Sequence, residues 1–178
     1  MNFKGWRLHF IIFAFVVSLT LLLGGNWLLR HLSQEKPLTD ALLENKTVEA
    51  VAIDSTGAIL EIRVKLRPVD NLQRAYQEIE TSIRKVYDQP GVKLVIQDQR
   101  SPALEKLWLT SQYAIYEAAV QGNFTKMATA VDQLARQAGL DNYAVNIDAN
   151  NIYLQLSEGE NYLYQVVPRQ NYMNRGEA

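Results

Sequence analysis

Apolar positions fall into three regimes along the chain. From Leu8 to Leu29 there is no Asp, Glu, Lys or Arg, and no polar face recurs at helical spacing. Such a run matches the roughly 20 residues a helix needs to cross a hydrocarbon layer. Trp6 and Trp27 stand near its ends, where an indole suits an interface, and Arg7 and Arg30 flank it and can snorkel. The pattern predicts one transmembrane helix over 8–29 after a short tail, 1–7, with the lipid bilayer as its first partner. Residues 24–26 offer a poor signal-peptidase site and the apolar run resumes at Trp27, so an uncleaved signal anchor is expected. The expected localisation is a cell membrane, single-pass, with the N-terminus cytoplasmic and the C-terminal domain extracytoplasmic.

Residues 30–46 are polar at first and contain Pro37, which predicts a juxtamembrane linker with a brief helix ending near Leu43. From Thr47 the period shortens to two. Thr47–Asp54 reads as a strand. Ile59–Leu66 alternates, with Leu60, Ile62, Val64 and Leu66 on one face and Glu61, Arg63, Lys65 and Arg67 on the other. Asp70 is positioned to cap a helix in which Leu72, Tyr76, Ile79, Ile83 and Val86 share a face. Val92–Gln97 follows as a short strand. Pro102 opens a helical stretch with Leu104, Trp108, Ser111, Ile115 and Ala118 on one side. Gly122-Asn123 interrupts it, so 102–139 is either a helical hairpin or one kinked helix. Tyr143–Ile147, Ile152–Leu156 and Tyr162–Val167, joined by turn-rich segments, predict a meander of three strands.

The expected fold class is therefore a single N-terminal transmembrane helix followed by an α+β two-layer domain over 47–168. Its element order is ββαβ-αα-βββ with a mostly antiparallel sheet, and a frayed tail, 169–178, follows.

Composition narrows the chemistry. The chain has 18 Lys+Arg and 19 Asp+Glu; three of the cations precede residue 32, leaving 15 against 19 beyond it. That balance excludes nucleic acid as an expected partner. There is no Cys, and both His, His9 and His31, lie in or beside the apolar segment. The rest of the chain thus lacks a thiol nucleophile and a Ser–His–Asp triad, and it carries neither a phosphate-binding glycine loop nor a dinucleotide fingerprint. No catalytic residue, metal or cofactor is expected, and a small-molecule substrate is not favoured. A non-enzymatic binding or assembly domain is the leading reading. The alternative is a membrane-anchored, carboxylate-dependent hydrolase of envelope glycans.

Two side-chain groups are candidate contact surfaces. Arg63, Lys65 and Arg67 form a basic row on one strand face. Tyr153, Tyr162 and Tyr164 cluster in the last strands, where an aromatic β-face could meet a glycan or protein. Residues 39–98, read as short helix, strand, strand, helix, strand, resemble the αββαβ order of ring-building domains in membrane-anchored secretion and sporulation assemblies. The resemblance is carried by element order. It implies a protein partner or self-association within a cell-envelope complex.

Overall fold

The computed structural model describes residues 12–19, 35–57, 59–88, 90–140 and 142–169. Residues 12–19 are helical (α1) and exposed throughout. Then follow α2 (Lys36–Leu43), β1 (Val48–Asp54), β2 (Leu60–Leu66), α3 (Leu72–Val86), β3 (Val92–Gln97), α4 (Pro102–Gln121), α5 (Phe124–Gln137), β4 (Asn142–Ile147), β5 (Asn151–Glu158) and β6 (Asn161–Pro168).

The expected membrane span is corrected. Among the described residues no helix is long and apolar enough to cross a membrane. The described part of α1 extends about 12 Å at about 1.5 Å per residue, against a hydrocarbon layer of about 30 Å. The remainder of 8–29, together with Trp6, Arg7, Trp27 and Arg30, lies outside the described residues. The single-pass anchor, the membrane localisation and the orientation drawn from it are not supported.

The α+β character and the element order of the remaining chain are as expected, but the sheet arrangement is not. There are two three-stranded sheets, ordered β1-β2-β3 and β4-β5-β6. In the first, β1 and β2 form an antiparallel hairpin, and β3 runs parallel to β2, pairing Leu60 with Val92 through Lys65 with Gln97. The parallel pair follows from α3. A helix that crosses back over the sheet returns the chain to the same end, so the next strand runs in the same direction. The second sheet is the expected meander.

Alternation in β2 places Ile62, Val64 and Leu66 under α2 and α3, where Leu38, Leu42, Leu72, Ile79 and Ile83 complete the core. Each such side chain, fully buried, stabilises the fold by about 1.5–3 kcal/mol. Asn71, one residue after the expected cap, starts α3: its side-chain oxygen accepts from the Arg74 amide at 2.9 Å. Gly122, in the left-handed region at φ 74°, ends α4 and lets α5 begin two residues later. The stretch 102–139 is thus two helices. They cover one face of the second sheet, with Leu104, Ile115, Met127 and Val131 packing on Ile152, Leu154, Leu156 and Leu163.

Candidate functional site

The alternate residues of β5 and β6 face the first half of the molecule. Tyr153, Tyr162 and Tyr164 are only 1%, 4% and 2% exposed. They belong to the same core as α2, β2 and α3. The expected tyrosine surface is therefore an internal seam and is not open to a partner. Its hydrogen bonds explain why. The segment between β2 and α3 belongs to neither element, so its backbone groups need partners from elsewhere. Tyr162 Oη donates to the Leu66 carbonyl at 2.7 Å, and the Val69 amide donates to Tyr164 Oη at 2.8 Å. Gln155, itself buried, donates to the Val69 carbonyl at 2.6 Å and accepts from the Leu72 amide at 3.0 Å. A single bridge, in which the Tyr162 amide donates to the Gln99 carbonyl at 2.8 Å, brings the chain after β3 to β6. The next ladder position is taken by a side chain, since the Tyr164 amide donates to Asp98 Oδ2 at 2.8 Å.

Asp148, in the β4–β5 turn, forms a second junction. Its Oδ1 accepts from the Asn150 and Asn151 amides, both at 2.8 Å. Its Oδ2 accepts from Tyr153 Oη at 2.6 Å and from Gln77 Nε2 of α3 at 2.9 Å. Burial opposes ionisation here, but those donors outweigh it and hold the carboxyl below the ordinary carboxylate value. Arg169 also hydrogen-bonds the Asp148 carbonyl.

Close by, a cleft of about 260 Å³ is lined by Tyr76, Glu80, Ile83, Arg84, Tyr87, Gly91, Val92 and Leu94. Burial pushes the Glu80 carboxyl up, Arg84 opposes it, and the negative charge of Asp148 adds to it. Tyr76, packed edge-on against Tyr153 with ring centroids 5.6 Å apart, is pushed up to about 12, chiefly by burial. Glu80 is the one carboxylate lining this cleft, and Asp148 is committed to four donors outside it. The hydrolase alternative requires two carboxylates across one cavity, and among the described residues this cleft presents Glu80 alone. A broader groove of about 470 Å³ between α2 and α3 carries Glu44 and Glu78, but Glu78 is paired with Arg74 at 3.0 Å. Among the described residues no group of three or more His, Asp or Glu is disposed to hold a metal ion.

The basic row is placed where the sequence suggests, on the open face of the first sheet, but its charges are already engaged. Arg63 pairs with Glu61 at 2.6 Å and Lys65 with Glu49 at 2.8 Å, while Arg67 Nη1 donates to the Lys46 carbonyl at 2.9 Å. Among the described residues this face mixes both signs, with carboxylate partners at Arg63 and Lys65.

The feature that sequence reasoning missed lies on α4. The helix is well delimited: the Ser101 side chain accepts from the Leu104 amide at 3.2 Å, Pro102 occupies the first turn and Gly122 ends it. Its inner face is buried as expected. Its outer face carries Leu109, Tyr113, Tyr116 and Val120, which are 50%, 75%, 42% and 56% exposed. At about 100° per residue these four fall within an arc of about 60°, opposite the buried face, and extend over about 16 Å. The Tyr116 ring is fixed edge-on against Trp108, centroids 6.3 Å apart. A helix on a protein surface ordinarily shows one apolar stripe, and α4 shows two. The i, i+4, i+7, i+11 spacing is legible in the sequence. It passes unnoticed because the inner face alone satisfies the amphipathic pattern.

Compared with protein-family models, curated proteins and solved structures, the chain matches none.

Proposed function

We propose that the protein is a non-catalytic assembly module that works by contact through the outer face of α4. The observation that carries this reading is the stripe Leu109, Tyr113, Tyr116 and Val120, a row of large apolar side chains at coiled-coil spacing left open to solvent. Tyr is among the residues enriched at protein interfaces, since its ring packs while its hydroxyl stays wet. The αββαβ order of the first half, shared in outline with ring-building domains, supports the same reading. So does the lack of His and Cys beyond residue 31.

The test places a photo-crosslinking phenylalanine derivative at position 113 of the full chain, in the cells that naturally make it. The control carries the same group at Gln133, an exposed position on α5. A product of defined mass from position 113 and not from position 133 is expected. Equal labelling, or none at 113, removes the reading.

A further inference from the structure

We infer that the cleft between α3 and β3 binds a free α-amino acid with a large apolar side chain, held as its zwitterion by Glu80 and Arg84. The inference goes beyond the assembly reading and is independent of it, since no lining residue of the cleft belongs to α4.

The α3 wall carries one charge of each sign. Glu80 and Arg84 are one helical turn apart, and both line the cleft. Arg84 Nη2 stands 3.9 Å from Glu80 Oε2, beyond hydrogen-bond distance. Among the described residues the Glu80 carboxylate accepts no hydrogen bond, although its side chain is only 35% exposed. Tyr76 lines the same wall and is nine-tenths buried, and its hydroxyl makes no hydrogen bond among the described residues either. Ile83, Val92 and Leu94 supply the apolar surface. A mostly apolar hollow with a few convergent polar groups is the usual form of a small-molecule site.

Charge and size select the ligand. An α-amino acid carries its ammonium and its carboxylate on one carbon. The ammonium donates to Glu80 and Arg84 donates to the carboxylate, each at about 2.8 Å. Four charges of alternating sign then stand at the corners of a quadrilateral, and the 3.9 Å gap between Glu80 and Arg84 is its fourth side. Every neighbouring corner is of opposite sign. A simple amine would bring a second cation beside Arg84, and a simple carboxylate a second anion beside Glu80. The volume of about 260 Å³ exceeds the roughly 150 Å³ that takes a benzene ring and lies below the range of drug-sized sites. It suits one amino acid with a branched aliphatic or aromatic side chain.

The same contact resolves a cost within the fold. Burial penalises the Glu80 charge, and Arg84 offsets only part of that penalty. A bound ammonium supplies the missing partner, so a group that weakens the unliganded fold strengthens the liganded one.

The experiment follows the backbone amide NMR signals of the full chain at neutral pH, in a mild non-ionic detergent so that the apolar residues 8–29 do not drive aggregation. L-leucine and L-phenylalanine are the probes. Saturable shifts at Tyr87, Val92 and Leu94 are expected, with a dissociation constant on the order of 100 µM for the better of the two. Its N-acetyl derivative lacks the ammonium and its amide lacks the carboxylate, and each should bind at least tenfold more weakly. Glu80→Gln and Arg84→Gln should each weaken binding to the same degree with the circular dichroism unchanged. Three results overturn the inference: no saturable shift from either amino acid up to about 10 mM, an amide that binds as tightly as the free acid, or undiminished binding to Glu80→Gln. Crosslinking from position 113 is read separately, so the site on α3 and the reading of α4 stand or fall apart.

Discussion

Gln155 and Val69, 86 positions apart, are joined by a 2.6 Å hydrogen bond from the Gln155 side-chain amide to the Val69 carbonyl. The other end of the same amide accepts from Leu72. One side chain of the second sheet thus replaces the ladder partners that the β2–α3 segment lacks. Gln155→Leu keeps the bulk and leaves a buried carbonyl and a buried amide without partners. The expected loss is about 2–4 kcal/mol, read as a lower urea midpoint at unchanged slope. A loss under about 0.5 kcal/mol would show that the seam does not depend on this bridge.

Asp148 makes the fold acid-sensitive. Its folded-state pKa lies below the ordinary value of 3.8, so it is the unfolded chain that takes up the proton first as pH falls. Its stabilising contribution is present above about pH 4 and is lost as pH drops through the folded value. Asp148→Asn is expected to be less stable at neutral pH and to show a shallower acid limb in thermal melts from pH 5 to 2. Tyr153→Phe, which removes one donor to Oδ2, should cost about 1 kcal/mol. A variant with the natural acid limb would place the sensitivity elsewhere.

Glu80 and Tyr76 act in the opposite sense. The folded state raises both pKa values, so it keeps their protons where the unfolded chain gives them up. Stability therefore falls as pH rises from the ordinary 4.5 through the Glu80 value, and again between about pH 10 and about 12 for Tyr76. Glu80→Gln should be more stable than the natural chain at pH 7 and equal to it at pH 4. Tyr76→Phe should flatten the alkaline loss. Denaturant midpoints across that range decide both, and a Glu80→Gln chain weaker than the natural one at pH 7 contradicts the assignment.

Gly139 follows α5 at φ 72°, and a Cβ there would meet nothing within 4 Å. Gly139→Ala thus tests backbone conformation without a packing change. It should cost about 1–2 kcal/mol, with Gly139→Asn costing less. Equal stability of the alanine variant would mean that the turn can adopt another path.

The charged face of the first sheet offers a contrasting case. Arg63→Ala and Lys65→Ala break partly exposed pairs with Glu61 and Glu49. Each should change stability by less than about 1 kcal/mol and leave crosslinking from position 113 as it was. Loss of the position-113 crosslinked product in either variant would move the contact surface from α4 to this face.

How much of the molecule could be read beforehand follows from the range of the forces involved. Period-two alternation at Leu60–Leu66, the 3.6-residue stripes, Pro102 and Gly122 act within a few residues, and the elements they mark appear within a residue or two of where they are expected. The turn-rich segment between β4 and β5 is legible, but not that its Asp148 accepts from Gln77 on α3. The tyrosines were legible as a cluster on one strand face. Whether that face met water or another layer was not written in β5 and β6 themselves, because a Tyr suits a half-wet surface and a buried hydrogen bond equally well.

By itself the sequence determined the element order, the ends of most helices and strands, the inner faces, and the absence of thiol and histidine chemistry beyond residue 31. These follow from local sterics, solvation periodicity and residue identity. Only the tertiary structure decided that β3 lies parallel to β2 and that the strands form two sheets. It also decided that the tyrosine face is sealed against the β2–α3 segment, and that the second apolar row of α4 is the one left outside. Those outcomes depend on which surfaces meet across dozens of residues, and a buried row and an exposed row can share the same periodicity until something packs against one of them.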